Sequence, residues 1–151
     1  MARQPISFTL IVEDESIFTY DVKIRAVWAI KGSKPTILTT GSHRKTCWFG
    51  ALADDGTQLF RQYSDANSNY FLDYIKQLLK KYPRMILFTD KATYHKKEAR
   101  VKKFFRKNRD SIRVRWFPSG FPEANPLEEC WNQGKDEVMG SKFYDSFDDF
   151  K

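Results

Sequence analysis

No apolar stretch in this chain approaches the roughly 18 residues needed to cross a bilayer as a helix. The opening Met1-Ala2-Arg3-Gln4-Pro5 lacks the apolar centre of a secretory signal. Cysteine is scarce. Cys47 and Cys130 stand far apart and form no Cys-x-x-Cys, which leaves reduced thiols in an intracellular protein as the expected state. There are no internal repeats, no low-complexity tract and no linker to divide the chain. Acid is also in short supply: the net charge is +7 and the isoelectric point about 9.4. That balance favours a polyanionic partner, either nucleic acid or an anionic membrane surface. The membrane surface is the weaker of the two, because the basic residues lack an interfacial anchoring pattern.

What is present is enough for one folded domain. A chain of 151 residues buries roughly 68–70% of its unfolded surface. Hydrophobic residues at 41%, with aromatics at 16%, supply the core. Charge is unevenly spread. From Lys91 to Arg109 there are nine Lys or Arg and one acid, Glu98; from Glu123 onward there are eight acids and three bases.

Residues 6–13 are near-continuous in apolar character, as in a central strand covered on both faces. Segment 17–30, rich in β-branched and aromatic residues, is expected to hold one or two short strands. Residues 31–35 read as a loop. Residues 46–52 and 57–63 flank Asp54-Asp55-Gly56, a strong hairpin signal. The period then changes. Asn67 or Ser68 caps a helix with Phe71, Leu72, Ile75, Leu78 and Leu79 on one face, and Pro83 stops it. A strand over 84–89 follows, then a helix from about Lys96 to Lys107 with a basic outer side. Next come a strand over 112–116 with Arg113 and Arg115 on one face, and a loop over 117–124. A last helix is capped by Asn125, with Pro126 at its first position. The expected fold is α/β: a mixed five-stranded sheet, three antiparallel strands then two parallel ones, flanked by helices.

Three carboxylates carry the chemistry. Two apolar runs end in Asp14 and Asp90, and Glu128 lies near the start of the last helix. If strands 6–13 and 84–89 are parallel neighbours, both aspartates emerge at the carboxyl-terminal edge, where α/β sheets bind ligands. Period-2 counting puts Leu10, Val12 and Asp14 on one face, and Ile86, Phe88 and Asp90 on one face. An aspartate in register with core residues is costly unless paired, and a divalent cation resolves that cost. Each residue also has a plain reading. Either aspartate alone suits a turn start, and Glu128 three residues after Asn125 suits a capping box. Glu13 and Glu15 flank Asp14, so spacing alone does not choose among them.

The segments around these residues resemble the DDE transposases of the insertion sequence 630 and mariner superfamily. Val12-Glu13-Asp14-Glu15-Ser16 is similar to that family's Asp-Glu-Ser/Thr box, and the stretch from Arg25 to Pro35 to its tryptophan-glycine-proline segment. Trp48-Phe49-Gly50-Ala51-Leu52 with Asp54-Asp55-Gly56 resembles the hairpin that follows. Leu87-Phe88-Thr89-Asp90-Lys91-Ala92-Thr93-Tyr94-His95 resembles the Asp-Asn-Ala-x-x-His box. The stretch from Phe117 to Trp131 resembles the Ser-Pro-x-Leu-Asn-Pro-Ile-Glu-x-x-Trp box. Asp90 and Glu128 are separated by 37 residues. The resemblance departs at Lys91, which replaces the usual Asn, and at Phe121 and Ala124.

The resemblance implies a ribonuclease-H-like catalytic domain spanning 1–151. It implies metal-dependent DNA cleavage and strand transfer in cut-and-paste transposition. Asp14, Asp90 and Glu128 would hold two Mg²⁺ or Mn²⁺ ions, with Asp14 bridging. His95 and Asn125 would support the site. Double-stranded DNA, both transposon ends and target, would be the partner. The charge run itself, rather than the resemblance, points Lys91, Lys96, Lys97, Arg100, Lys103, Arg106 and Lys107 to its phosphates, with a solvated helix face as the plain alternative. The segment from Trp28 to Pro35 would contribute to a homodimer. The expected setting is the prokaryotic cytoplasm, at the nucleoid. The helix-turn-helix region that reads transposon ends is not in this sequence, and relatives continue past its C-terminus. A catalytically inactive DNA-binding remnant is the competing reading.

Overall fold

The computed structural model describes residues 7–24, 26, 28–118 and 125–151, with only the backbone of Lys96. Five strands form one sheet: β1 (Thr9–Thr19), β2 (Lys45–Ala53), β3 (Gln58–Tyr63), β4 (Met85–Thr89) and β5 (Ile112–Trp116). Their spatial order is β3-β2-β1-β4-β5. β1, β2 and β3 are antiparallel neighbours, and β4 and β5 extend the sheet in parallel with β1. This is the ribonuclease-H-like arrangement.

Local chemistry explains most boundaries. The β2–β3 turn closes on Gly56, whose φ of +79° suits glycine, and Asp55 Oδ1 accepts from the Thr57 backbone N–H. Helix α1 (Ser68–Lys81) starts where Asn67 accepts from the N–H groups of Asn69 and Tyr70. It ends before Pro83. Its buried stripe is Phe71, Tyr74, Ile75 and Leu78. Burying each of the three purely apolar side chains stabilises by roughly 1.5–3 kcal/mol. Tyr74 is fully buried yet satisfied, because its hydroxyl donates to the Leu59 carbonyl.

Two cores sit on opposite faces of the sheet. On the inner face, α1 and α3 (Ala99–Lys107) pack through Phe71, Ile75, Leu78 and Val101 against Ile11, Met85, Leu87 and Ile112. On the outer face, α4 (Leu127–Met139) and the short α5 (Phe147–Phe150) pack through Leu127, Trp131, Phe147 and Phe150 against Phe18 and Tyr20.

The structure corrects several boundaries. β1 does not end at residue 13 but runs to Thr19, so Asp14 lies mid-strand. β2 sustains it, pairing from Ile11↔Ala53 to Thr19↔Lys45, whereas parallel pairing with β4 stops at Val12↔Phe88. The apolar run marks the end of the parallel pairing, not of the strand. Among the described residues of 20–30 there is no further strand, only a bridge from Lys23 to Gly140. Trp28 is fully exposed there, at 105%, so it is not a core residue. The basic helix is broken in two. One turn, α2 (Thr93–Lys96), precedes α3, and Glu98 between them is extended. Residues 119–124, which include Phe121 and Ala124, lie outside the described set.

Candidate active site

Strand alternation sorts three consecutive carboxylates. Ile11, Glu13 and Glu15 point to the inner face; Leu10, Val12 and Asp14 point to the outer one. Val12↔Phe88 is the last pair between β1 and β4, and Asp14 and Asp90 each follow it by two residues, so both lie towards the carboxyl-terminal edge of β4. That face is less buried than the alternation alone suggests. Val12, Ile86 and Phe88 are half-buried and Leu10 is exposed, while the fully buried row is Ile11, Glu13, Leu87 and Thr89.

Asp14 is anchored across the outer core. The Trp131 indole N–H donates to Asp14 Oδ2 at 3.0 Å. The indole reaches that oxygen because Gly50, paired with Asp14 across β1 and β2, has no side chain. A Cβ at Gly50 would lie 2.7 Å from the Trp131 ring and from Phe60. Phe18 and Phe60 meet the indole edge-on. Burial, reinforced by the neighbouring charge of Glu15, raises the Asp14 carboxyl to about 6; the Trp131 hydrogen bond opposes the rise and the Asp90 charge adds to it.

Glu128 is exposed in the first turn of α4. The helix begins at Leu127, one residue later than expected, so Pro126 rather than Asn125 stands at its cap position; Asn125, just before it, accepts from the Leu127 N–H at 3.1 Å. The Asn125 carbonyl accepts from the Glu128 N–H. Asp14 and Glu128 line one cleft of about 290 Å³, together with Glu15, Ser16, Trp131, Asn132 and Lys135. Asp90 does not line this cleft, but its charge reaches Asp14. A larger groove of about 470 Å³ runs on the other side of Trp131. Its walls are Phe18, Trp48, Phe60, Val138 and Phe150, and no cluster of carboxylates converges there.

His95 ties the strand edge together. Its ring is buried between Phe71 and Tyr94, with centroids 4.0 and 4.4 Å away. Nδ1 donates to Asp90 Oδ1 at 2.9 Å and Nε2 donates to Glu15 Oε1 at 2.7 Å. Burial alone would lower its pKa, but the hydrogen bonds to Asp90 and Glu15 overcome it and raise the imidazole to about 10. The same bond from His95, with the Ala92 N–H, holds the Asp90 carboxyl below the usual carboxylate range. Glu13 is fully buried nearby. Burial and then the Glu15 charge raise it well above the usual range, and His95 offsets part of that. Glu13, Glu15 and His95 have ligand atoms within 4.8 Å of one another, a cluster able to coordinate a metal ion.

The basic residues are dispersed. Lys91 and Lys97 are exposed at the carboxyl-terminal edge, on either side of α2. The Lys96 side chain lies outside the described set. Arg100 is engaged by Asn69, Ser68 and Glu98. Lys103, Arg106 and Lys107 are exposed on α3, which returns over the inner face to Ile112, the partner of Met85 at the start of β4. The far end of α3 therefore sits at the opposite sheet edge, about 16 Å along a five-residue strand. It is not beside the carboxylates.

Trp131 and Lys135 escaped the sequence reading as site residues, and Glu15 entered it only as an alternative to Asp14. Residues 128, 131 or 132, and 135 fall on one helical stripe, which is the signal that identifies Trp131 and Lys135.

No curated protein matches the chain in sequence. Solved structures match its fold. The chain shares 15% identity with the Mos1 strand transfer complex at a TM-score of 0.68, covering 92% of this chain and 43% of that one. For the Mos1 mariner paired end complex with Mn the identity is 16% and the TM-score 0.65, covering 93% and 45%. For the catalytic core domain of BIV integrase they are 14% and 0.53, covering 85% and 68%. The chain thus spans less than half the length of the Mos1 chains. Because viral integrases share the fold, it carries no assignment to a prokaryote. No described helix is long and apolar enough to cross a membrane. The model of the DDE superfamily endonucleases matches residues 9–151. With the sheet, the carboxylate-bearing edge and nearly the whole chain in agreement, this chain belongs to the DDE superfamily endonucleases and has the fold of the mariner transposase Mos1.

Proposed function

We propose that this domain cleaves DNA strands and joins them to target DNA, using two Mg²⁺ or Mn²⁺ ions held by Asp14, Asp90 and Glu128. The observation that carries the reading is the shared edge. Asp14 and Glu128 line one cleft, and Asp14 and Asp90 each lie two residues beyond Val12↔Phe88, the last pair of β1 and β4. The donor set is all oxygen, which suits Mg²⁺ and Mn²⁺. A partly buried Asp14 whose carboxyl is raised to about 6 is a site with uncompensated negative charge, which a cation would neutralise.

Bound ions would lower the pKa of a water or DNA 3′-hydroxyl and stabilise the leaving 3′-oxygen. The chain's own residues do the rest. Trp131 holds one Asp14 oxygen, so the other oxygen is presented in a fixed direction. His95 fixes Asp90 from behind and keeps it ionised. Lys135 adds positive charge on the α4 side of the cleft. Lys91, Lys97 and, more distantly, the α3 cations attract DNA phosphates without reading bases. Trp28 and Ile30, both exposed, support a homodimer contact through this segment. Recognition of transposon ends is assigned to no residue of this domain.

The test is nicking of supercoiled plasmid with Mn²⁺. The wild-type chain should nick weakly and without sequence preference. Asp14→Asn and Glu128→Gln should each abolish nicking while the fold survives by circular dichroism. Mn²⁺ binding without nicking in the wild type would favour the inactive remnant. Nicking that survives both substitutions would end the proposal.

A further inference from the structure

We propose that the inner face of β1 carries a second cation site, sharing only Glu15 with the lining of the Asp14 cleft, in which Glu13, Glu15 and His95 take one transition-metal ion of the Zn²⁺ type. Glu13 supplies the first observation. Its side chain is fully buried, and neither Oε1 nor Oε2 accepts a well-formed hydrogen bond; the nearby Thr89 hydroxyl only partly offsets its burial. Buried carboxylates in folded proteins are almost always partnered, so a side chain left this way is shaped for something else. Its neighbours in the cluster are Glu15 and His95.

His95 supplies the second observation. Its Nδ1 faces the Asp90 carboxylate at 2.9 Å, while Nε2 faces Glu15 at 2.7 Å, on the cluster side. A histidine that ligates a metal through one nitrogen characteristically donates its other N–H to a carboxylate, which fixes the tautomer and the ring plane. Asp90 is in that position. Packing between Phe71 and Tyr94 fixes the ring further.

The donor set and the surroundings choose the ion. One imidazole nitrogen and two carboxylates suit Zn²⁺ and its neighbours. Mg²⁺ keeps several waters and prefers oxygen alone, whereas His95 and Glu13 are sealed from solvent. Ligands around Zn²⁺ sit about 2.0–2.2 Å from the ion, so the three atoms, now within 4.8 Å of one another, must draw inward by an ångström or so. Rotation of the two glutamate side chains supplies that movement. An ion here would also sit one hydrogen bond behind Asp90, linking the inner site to the outer edge through the imidazole.

The experiment is Zn²⁺ titration of the whole chain against a chromophoric chelator, paired with the visible spectrum of the Co²⁺ form. Glu128→Gln removes a ligand of the proposed outer site and leaves the inner cluster intact. The wild type and Glu128→Gln should each bind one tight equivalent of Zn²⁺. Both should give intense Co²⁺ absorption from a low-coordinate, nitrogen-containing site. Glu13→Gln and Glu15→Gln should each weaken Zn²⁺ at least about tenfold, the lower end of what even outer-shell changes cost, and lose the Co²⁺ bands. Glu15→Gln serves as the second variant should Glu13→Gln not fold. Absence of Zn²⁺ binding in the wild type would overturn the proposal. So would binding that Glu128→Gln abolishes while Glu13→Gln and Glu15→Gln leave it intact. The nicking assay reads the outer site alone, so either site can fail without the other.

Discussion

Glu13, Asp14 and Glu15 are neighbours in sequence, but their side chains meet different partners. The inner pair faces α1 and α2, with Glu13 sealed from solvent and Glu15 locked to His95. Asp14 faces α4, half-open, with Glu128 across the cleft. The same residue chemistry thus yields two environments, because a strand has a period of two and the two faces of this sheet are covered differently. The inner carboxylates are governed by desolvation and by His95. The outer one is governed by partial burial and a single indole N–H.

The sharpest way to break this contrast is at His95. His95→Ala leaves Glu15 and Asp90 without their shared donor beside an apolar core. Losing one partner of a buried ionic cluster costs about 3–5 kcal/mol. Urea unfolding should show that loss, and a change below about 1 kcal/mol would mean that the cluster is not a cluster. Glu13→Leu should act in the opposite direction. In metal-free buffer it removes an unpartnered buried carboxyl and should raise stability by about 1–3 kcal/mol. A destabilised Glu13→Leu would show that Glu13 has a partner in the native state.

The two faces also differ in pH response. The His95 imidazole titrates at about 10 when folded, against 6.5 in an unperturbed histidine. Its contribution is complete below pH 6.5 and is lost as pH rises through 10. Asp14 titrates at about 6 when folded, against 3.8. Its proton also stabilises the fold, and that contribution fades as pH rises from 3.8 to 6. Both groups therefore make stability fall with rising pH, in separate windows. His95→Gln should flatten the upper window and Asp14→Asn the lower, as read by chemical denaturation across pH. Interchanged effects would invert the assignment of faces.

Smaller effects refine the outer face. Trp131→Phe keeps the ring packing and deletes the donor to Asp14. The cost should be about 1 kcal/mol, with Asp14 titrating above 6 by nuclear magnetic resonance. An unmoved Asp14 would show that the indole only packs. For DNA, topology divides the basic run. Neutralising Lys91 and Lys97 should lower the slope of log affinity against log salt by about 1.8, two contacts at about 0.9 each, with sequence preference unchanged. Neutralising Lys103 and Arg106 should lower it by less than half as much, because α3 leads away from the edge. Equal effects in anisotropy titrations would put DNA along α3.

Much of this was legible in the residues, and the rest was hidden for identifiable reasons. The hairpin at Gly56 and the stripe of α1 are local patterns, and local chemistry specifies them. The full length of β1 was not legible, because its second half is held by β2, from Glu15↔Phe49 to Thr19↔Lys45, far outside any local pattern. The break at Lys97 and Glu98 carries no glycine or proline to announce it. It arises because α2 must place His95 between Asp90 and Glu15 before α3 lies down on the sheet. Asp14, Asp90 and Glu128 were proposed from their boxes. The role of Glu15 was not, since a strand read alone does not say which face meets which helix.

The central claim is that the outer carboxylates form the metal-binding edge of a DNA-cleaving site. Anomalous difference density from a crystal soaked in Mn²⁺ tests it most directly. Mn²⁺ is expected on the outer face, in contact with Asp14 and Glu128 and with Asp90 as a further ligand. A soaked crystal with no Mn²⁺ at Asp14 and Glu128, or with those two carboxylates turned away from each other, would contradict it.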